Sequence, residues 1–149
     1  CNMVRAYDQL SDHMRNVIRG LEGLHSGMAT LERSIAGKSD ARPIDRSEIK
    51  PPRAHPIVRS PAGTDQKAIF VNPHFTVGIK GLDTEESNWV LDHLYKIATQ
   101  PENVYRHQWR AGDVLVWDNR RTMHYAVRDY TEDMPRKLHR CTASGEIPV

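Results

Sequence analysis

Between residues 11 and 24, the apolar side chains of Met14, Val17, Ile18 and Leu21 recur at the spacing of one helical face, and Ser11 stands where an N-cap would. The pattern predicts a one-sided surface helix. It then lapses: residues 25–54 are rich in Gly, Ser, Arg and Pro and keep no period, a long connection for a compact domain and the form expected of a linker or of a lid over a site. Two short β-type runs, 56–60 and 67–72, flank a turn-forming stretch from Pro61 to Gln66 and predict a hairpin. Asp83 followed three residues later by Glu86 is a capping-box start, and Val90, Leu91, Leu94 and Ile97 give the helix behind it an apolar face that ends before Pro101. After that helix the pattern predicts only strands, over 104–110, 113–117, 122–127 and 136–143, with a turn at Ala111-Gly112. No internal repeat or low-complexity segment interrupts this order.

Composition narrows the picture further. At 149 residues, the length is that of a single domain, 1–149, which would bury roughly 70% of its unfolded surface. Lys and Arg number 21 against 19 Asp and Glu, a formal charge of +2 that provides no general attraction for nucleic acid. The basic residues between Arg33 and Arg59 are mixed with Asp40, Asp45 and Glu48 and lack interleaved aromatics, so a solvated loop accounts for them. Cys1 and Cys141 form no C-x-x-C motif and no disulfide framework, and the apolar runs are too short to span a bilayer. A soluble, cytoplasmic protein without membrane or nucleic-acid partners is the expectation. The first residue is Cys where a translation start would place Met, which suggests a chain that begins partway through a longer protein.

The chemistry concentrates near the C-terminus. Alternation along a strand puts Thr122, His124 and Ala126 on one face and Met123, Tyr125 and Val127 on the other. The same rule groups Arg136, Leu138, Arg140 and Thr142, with the two arginine Cα atoms about 13 Å apart at the strand rise. Arginine grips carboxylates and sulfonates through a rigid fork, so the gap suits a small molecule or a metal between two anions. Taken singly, a strand histidine is more often structural and strand arginines more often solvated. Lys137 and His139 fall on the opposite face from the arginines. The remaining histidines, at 13, 25, 55, 74, 93 and 107, show no metal-ligand spacing.

These residues carry a resemblance. Trp-Asp-Asn-Arg at Trp117 to Arg120, then His124, Arg136 and Arg140, together with "HPIVRSPAGTDQKAIFVNPHF" from His55 to Phe75, resemble the C-terminal half of the taurine dioxygenase family of Fe(II)- and 2-oxoglutarate-dependent oxygenases. The resemblance implies a mainly β fold with flanking helices, a double-stranded β-helix of jelly-roll type, of which this chain would be the C-terminal part. It implies His124 as the distal histidine of a two-histidine, one-carboxylate iron triad. It further implies Arg136 as the partner of the distal carboxylate of 2-oxoglutarate, Arg140 as the holder of the substrate's anionic end, Phe75 as a pocket-lining aromatic, and Trp117 as a neighbour of the cosubstrate or a structural indole. The implied reaction consumes O2 and 2-oxoglutarate, releases succinate and CO2, and hydroxylates a small anionic organic substrate such as a taurine-like sulfonate.

One departure accompanies the match. The family's other two ligands form a His-x-Asp or His-x-Glu pair, and no histidine of this chain has a carboxylate two residues on. A C-terminal portion of a dioxygenase is therefore the leading expectation. A non-catalytic β-domain acting as an interaction module is the competing one, and oligomeric state, a homo-oligomer included, is left open.

Overall fold

The computed structural model describes residues 1–28, 50–127, 129–131, 137–145 and 147–148. Helix α1 (Met3–Asp8) begins at Asn2, whose side-chain oxygen accepts the N–H groups of Val4 and Arg5, each at 3.1 Å. Its six residues are too few to show a period, yet Met3, Val4 and Ala6 are buried. Helix α2 (Asp12–Ile18) has the predicted cap, with Ser11 Oγ accepting from Met14 N–H at 3.2 Å. It stops well short of the predicted residue 24. Gly20 turns the chain at φ 79°, where side chains are disfavoured, and the following residues enter strand β1 (Glu22–His25). Strand partners on both sides override the helical stripe there.

Strand β1 lies between β2 (Arg53–Pro56) and β5 (Thr76–Ile79), antiparallel to both, with Gly23 opposite His55 on one side and Ile79 on the other. The predicted long connection 25–54 thus gives both its ends to the sheet, while its interior, 29–49, lies outside the described residues. The predicted hairpin is present in shorter form as β3 (Val58–Arg59) paired with β4 (Ala68–Ile69). Helix α3 (Thr84–Ala98) carries the predicted capping box: Asp83 Oδ1 accepts from Glu86 N–H at 2.8 Å, and Glu86 Oε2 accepts from Asp83 N–H at 3.1 Å. Val90, Leu91, Leu94 and Ala98 bury its inner face. Ser87 Oγ accepts the Ile79 N–H at 3.1 Å and fixes the helix against β5. Ile18, Ile57, Ile69, Ile79 and Leu94 form the fully buried centre, where α1 and α3 meet the two sheets.

The C-terminal strands require correction. Among the described residues, 104–117, 123–127 and 137–145 form no ladder, and Thr122 makes a single antiparallel bridge to Asn2. A β-type sequence forms a strand only where a neighbour takes up its N–H and C=O groups, and here Val114 is 87% and Val116 86% exposed. The turn between two of the predicted runs does form, with Gly112 at φ 90° and Asp113 N–H donating to Arg110 O at 3.1 Å. Among the described residues no helix is long and apolar enough to cross a membrane.

Candidate active site

The stretch that carries His124 is set in place by a turn built around Asp118. Its carboxylate accepts from the Arg120 backbone N–H at 2.9 Å, from Arg120 Nε at 3.0 Å and Nη2 at 2.9 Å, and from Arg121 Nε at 3.1 Å. The two arginines then reach across to the β3–β4 connection, Arg120 to Ala62 O at 3.3 Å and Arg121 to Gln66 Oε1 at 3.0 Å. These guanidinium contacts, Arg120 first, hold the Asp118 carboxyl well below the usual carboxylate range, against the opposing effect of burial. The turn closes through Thr122 Oγ1, which donates to Asp118 O at 2.8 Å. Beyond it the backbone is tied to the start of the chain, with Met3 N–H on Arg121 O at 2.9 Å and Met123 N–H on Cys1 O at 3.1 Å.

His124 emerges from this anchor into an open cavity of about 400 Å³, whose walls include Phe75, Phe70, Val71, Met123 and His25. Thr122, Met123 and His124 all line it, so the strict alternation predicted for this run does not hold; an unpaired segment has no ladder to enforce the pleat. His124 has an exposed surface, yet the surrounding protein removes enough water to lower its pKa, and the positive charges of Arg140 and of the N-terminus lower it further. A neutral imidazole facing a cavity offers a lone pair to a metal. Among the described residues no group of three or more His, Cys, Asp or Glu side chains comes together to hold a metal ion. The donor chemistry at His124 therefore fits one ligand of a facial triad, and the described residues supply no second or third.

The other expected site residues fall as follows. Trp117 is half-buried, with its ring centre 4.9 Å from that of His124 and its Nε1 donating to Asn119 Oδ1 at 2.8 Å. Phe75 lines the same cavity and is 44% exposed. Arg140 is exposed and close enough to His124 to act on its charge. Arg136 lies outside the described residues. The structure thus brings His124, Trp117, Phe75 and the charge of Arg140 to one region.

It also assembles a cluster that spacing did not reveal. The pairing of β1 with β2 sets His25 and His55 5.4 Å apart between ring centres, and both pack on Phe70, His25 stacked at 5.1 Å and His55 edge-on at 5.9 Å. The guanidinium carbon of Arg59, a buried residue, lies 5.0 Å from the Phe70 ring centre. Burial, then the His55 charge, lower the His25 pKa to about 4, despite an opposing hydrogen bond to the Phe70 backbone. Thirty residues separate the two histidines in sequence, so no local signal announced them. Asp118 and Asn119 were legible only as part of the Trp-Asp-Asn-Arg motif.

The chain is similar to known proteins over nearly its whole length. The alpha-ketoglutarate-dependent 2,4-dichlorophenoxyacetate dioxygenase of Burkholderia sp. (strain RASC) is 35% identical over 145 residues, covering 97% of this chain and 47% of that protein. The alpha-ketoglutarate-dependent sulfate ester dioxygenase of Pseudomonas putida is 35% identical over 153 residues, covering 99% of this chain and 50% of its own length. The crystal structure of a taurine dioxygenase from Burkholderia xenovorans superposes with a TM-score of 0.63 at 32% identity, covering 80% of this chain and 36% of that one. The chain spans about half the length of these curated relatives. The sequence pattern of one family matches residues 1–142, and on that match and these identities the chain belongs to the taurine catabolism dioxygenase TauD, TfdA family.

Proposed function

We propose that this chain is the substrate-holding part of an Fe(II)- and 2-oxoglutarate-dependent dioxygenase of double-stranded β-helix fold that hydroxylates a small anionic organic compound, and that it works in the cytoplasm. The observation that carries the reading is a cavity faced by both His124 and the aromatic Phe75, with Arg140 near enough to His124 for its charge to act on that imidazole. The relatives' descriptions, alpha-ketoglutarate-dependent enzymes for 2,4-dichlorophenoxyacetate and for sulfate esters, support the same class.

In this mechanism His124 would contribute one imidazole ligand to the iron, with Trp117 packed against its ring. When bound there, iron with 2-oxoglutarate would supply oxidative chemistry in which 2-oxoglutarate and O2 are consumed, succinate and CO2 are released and the substrate is hydroxylated. Arg136 pairs with the far carboxylate of 2-oxoglutarate. Arg140 takes the anionic end of the substrate, sulfonate, sulfate or carboxylate, and so fixes which carbon faces the reacting centre, which is catalysis by positioning. Phe75 and the apolar wall around Val71 exclude water from the remainder of the substrate.

The test is a succinate-formation assay of the purified protein with Fe(II), 2-oxoglutarate and, in turn, taurine, phenoxyacetates and alkyl sulfates. Arg140→Ala is expected to raise the substrate KM far more than the KM for 2-oxoglutarate, and Arg136→Ala to do the reverse; equal effects on both constants would overturn the assignment. A non-catalytic module is the reading that remains if the protein fails to bind iron together with 2-oxoglutarate.

A further inference from the structure

Beside the cavity that His124 faces lies a second of about 340 Å³, and His25, Ser26, Gly27 and Arg53 line both. Arg53 opens strand β2 as the Cα partner of His25 on β1, so a ladder fixes the backbone that carries its guanidinium. Alternation puts Arg53, His25 and His55 on one face of that pair. The His25 ring leans back over Gly23, where an added Cβ would lie 3.2 Å from its Nε2, and it packs on Phe70 and His55 rather than on Arg53. Arg120, the other arginine of the first cavity, is engaged by the Asp118 carboxylate and by Ala62 O. Arg53 is exposed and, among the described residues, has no hydrogen bond, ion pair or ring contact. Lys50 joins it on the second cavity, and among the described residues no Asp or Glu lines either one. Burial holds His25 uncharged at neutral pH, so the positive charge of this row of the sheet sits on the arginine.

We propose that Arg53, with Lys50, forms an anion subsite where the two cavities meet, and that this protein prefers ligands carrying a second acidic group, a carboxylate, sulfonate or sulfate, over singly charged ones. The inference rests on the reading of the first cavity as the substrate site. In that reading Arg140 takes one acidic group; Arg53, on a different element, takes the other. A guanidinium meets each of these groups through two parallel N–H donors, and the fixed backbone of β2 leaves only the side chain to be ordered when the anion binds. With no carboxylate on either wall, the arginine has no internal partner from which a ligand must displace it. A singly charged ligand would leave this fork to water.

The experiment is titration of the protein with phenoxyacetate and with para-carboxyphenoxyacetate, which adds one carboxylate to the same body, followed by nuclear magnetic resonance at the Arg53 Nε–H and repeated at high salt. Wild type is expected to bind the doubly charged probe about three- to tenfold more tightly, with an advantage that shrinks as salt rises. Arg53→Leu is expected to lower the affinity for the doubly charged probe to that for phenoxyacetate, with no comparable loss for phenoxyacetate or 2-oxoglutarate, and Arg53→Lys to keep part of the advantage. Arg53 is exposed, so these variants leave the core intact. Equal binding of the two probes by wild type, or equal losses for both in Arg53→Leu, would overturn the proposal. So would a selective loss for 2-oxoglutarate, which would make Arg53 a cosubstrate contact, or failure of wild type to bind the doubly charged probe. Because binding is read without turnover, the two readings fail separately. Selective binding at Arg53 without succinate formation counts against the dioxygenase reading alone, and succinate formation with no preference between the probes counts against the subsite alone.

Discussion

The indole of Trp117 packs against the imidazole of His124, ring centres 4.9 Å apart and planes at 56°, while Asn119 holds the indole N–H at 2.8 Å. The histidine ring is thus braced by a neighbour that is itself hydrogen-bonded in place, which restricts the directions in which its lone pair can point. Replacing Trp117 by Ala is expected to weaken binding of Fe(II), or of Mn(II) as a probe, by about tenfold, and Trp117→Phe to weaken it less. Metal titration of the purified variants checks this; equal affinity in Trp117→Ala and wild type would show that the contact does not position His124.

Asp118 joins two arginines that both reach the β3–β4 connection, so its loss would free the turn leading to His124. Asp118→Asn is expected to cost about 1–2 kcal/mol at neutral pH, a value discounted for the partial exposure of all three side chains. The sign of the pH dependence follows from the depressed carboxyl pKa. The contribution is fully present above the unfolded carboxylate range and is lost as pH falls through and below it. Urea unfolding at neutral pH and at about pH 3 should therefore show the gap between wild type and variant closing at the acid end.

His25 titrates in the opposite chemical sense and with the same slope. Its folded pKa is lowered to about 4 from an ordinary value of 6.5, so between those values the unfolded chain binds the proton and the folded protein does not. Stability is expected to fall as pH drops from 6.5 to 4 and to level off below, by up to about 2 kcal/mol in total. Denaturation profiles of wild type and His25→Gln across this window check it, the variant being expected to have the shallower slope.

The packing of α3 gives two further expectations of different size. Leu94 is fully buried among the isoleucines of the core, and Leu94→Ala is expected to cost about 2–5 kcal/mol. Asp83→Ala removes the cap and is expected to cost about 1 kcal/mol. Thermal or chemical unfolding separates the two, and reversal of their order would mean that α3 draws its stability from its own sequence rather than from the core.

Elements whose signals are local were legible in the sequence. The caps at Ser11 and Asp83 act on N–H groups two or three residues away, and the hairpin's flanking runs meet across a short turn. The family resemblance was legible because the Trp-Asp-Asn-Arg turn and the histidine after it lie within eight residues, and it is from this resemblance that His124, Phe75, Trp117 and Arg140 are proposed as site residues. What tertiary structure alone decided was where strands would find partners. Glu22–His25 continued a helical stripe on paper and became a central strand because β2 and β5 flank it. Residues 113–117 read as a strand and have no neighbour to pair with among the described residues. The same pairing joined His25 to His55 and fixed Phe75 at a cavity that also receives His124, since side chains distant in sequence meet only where backbone hydrogen bonding sets the register.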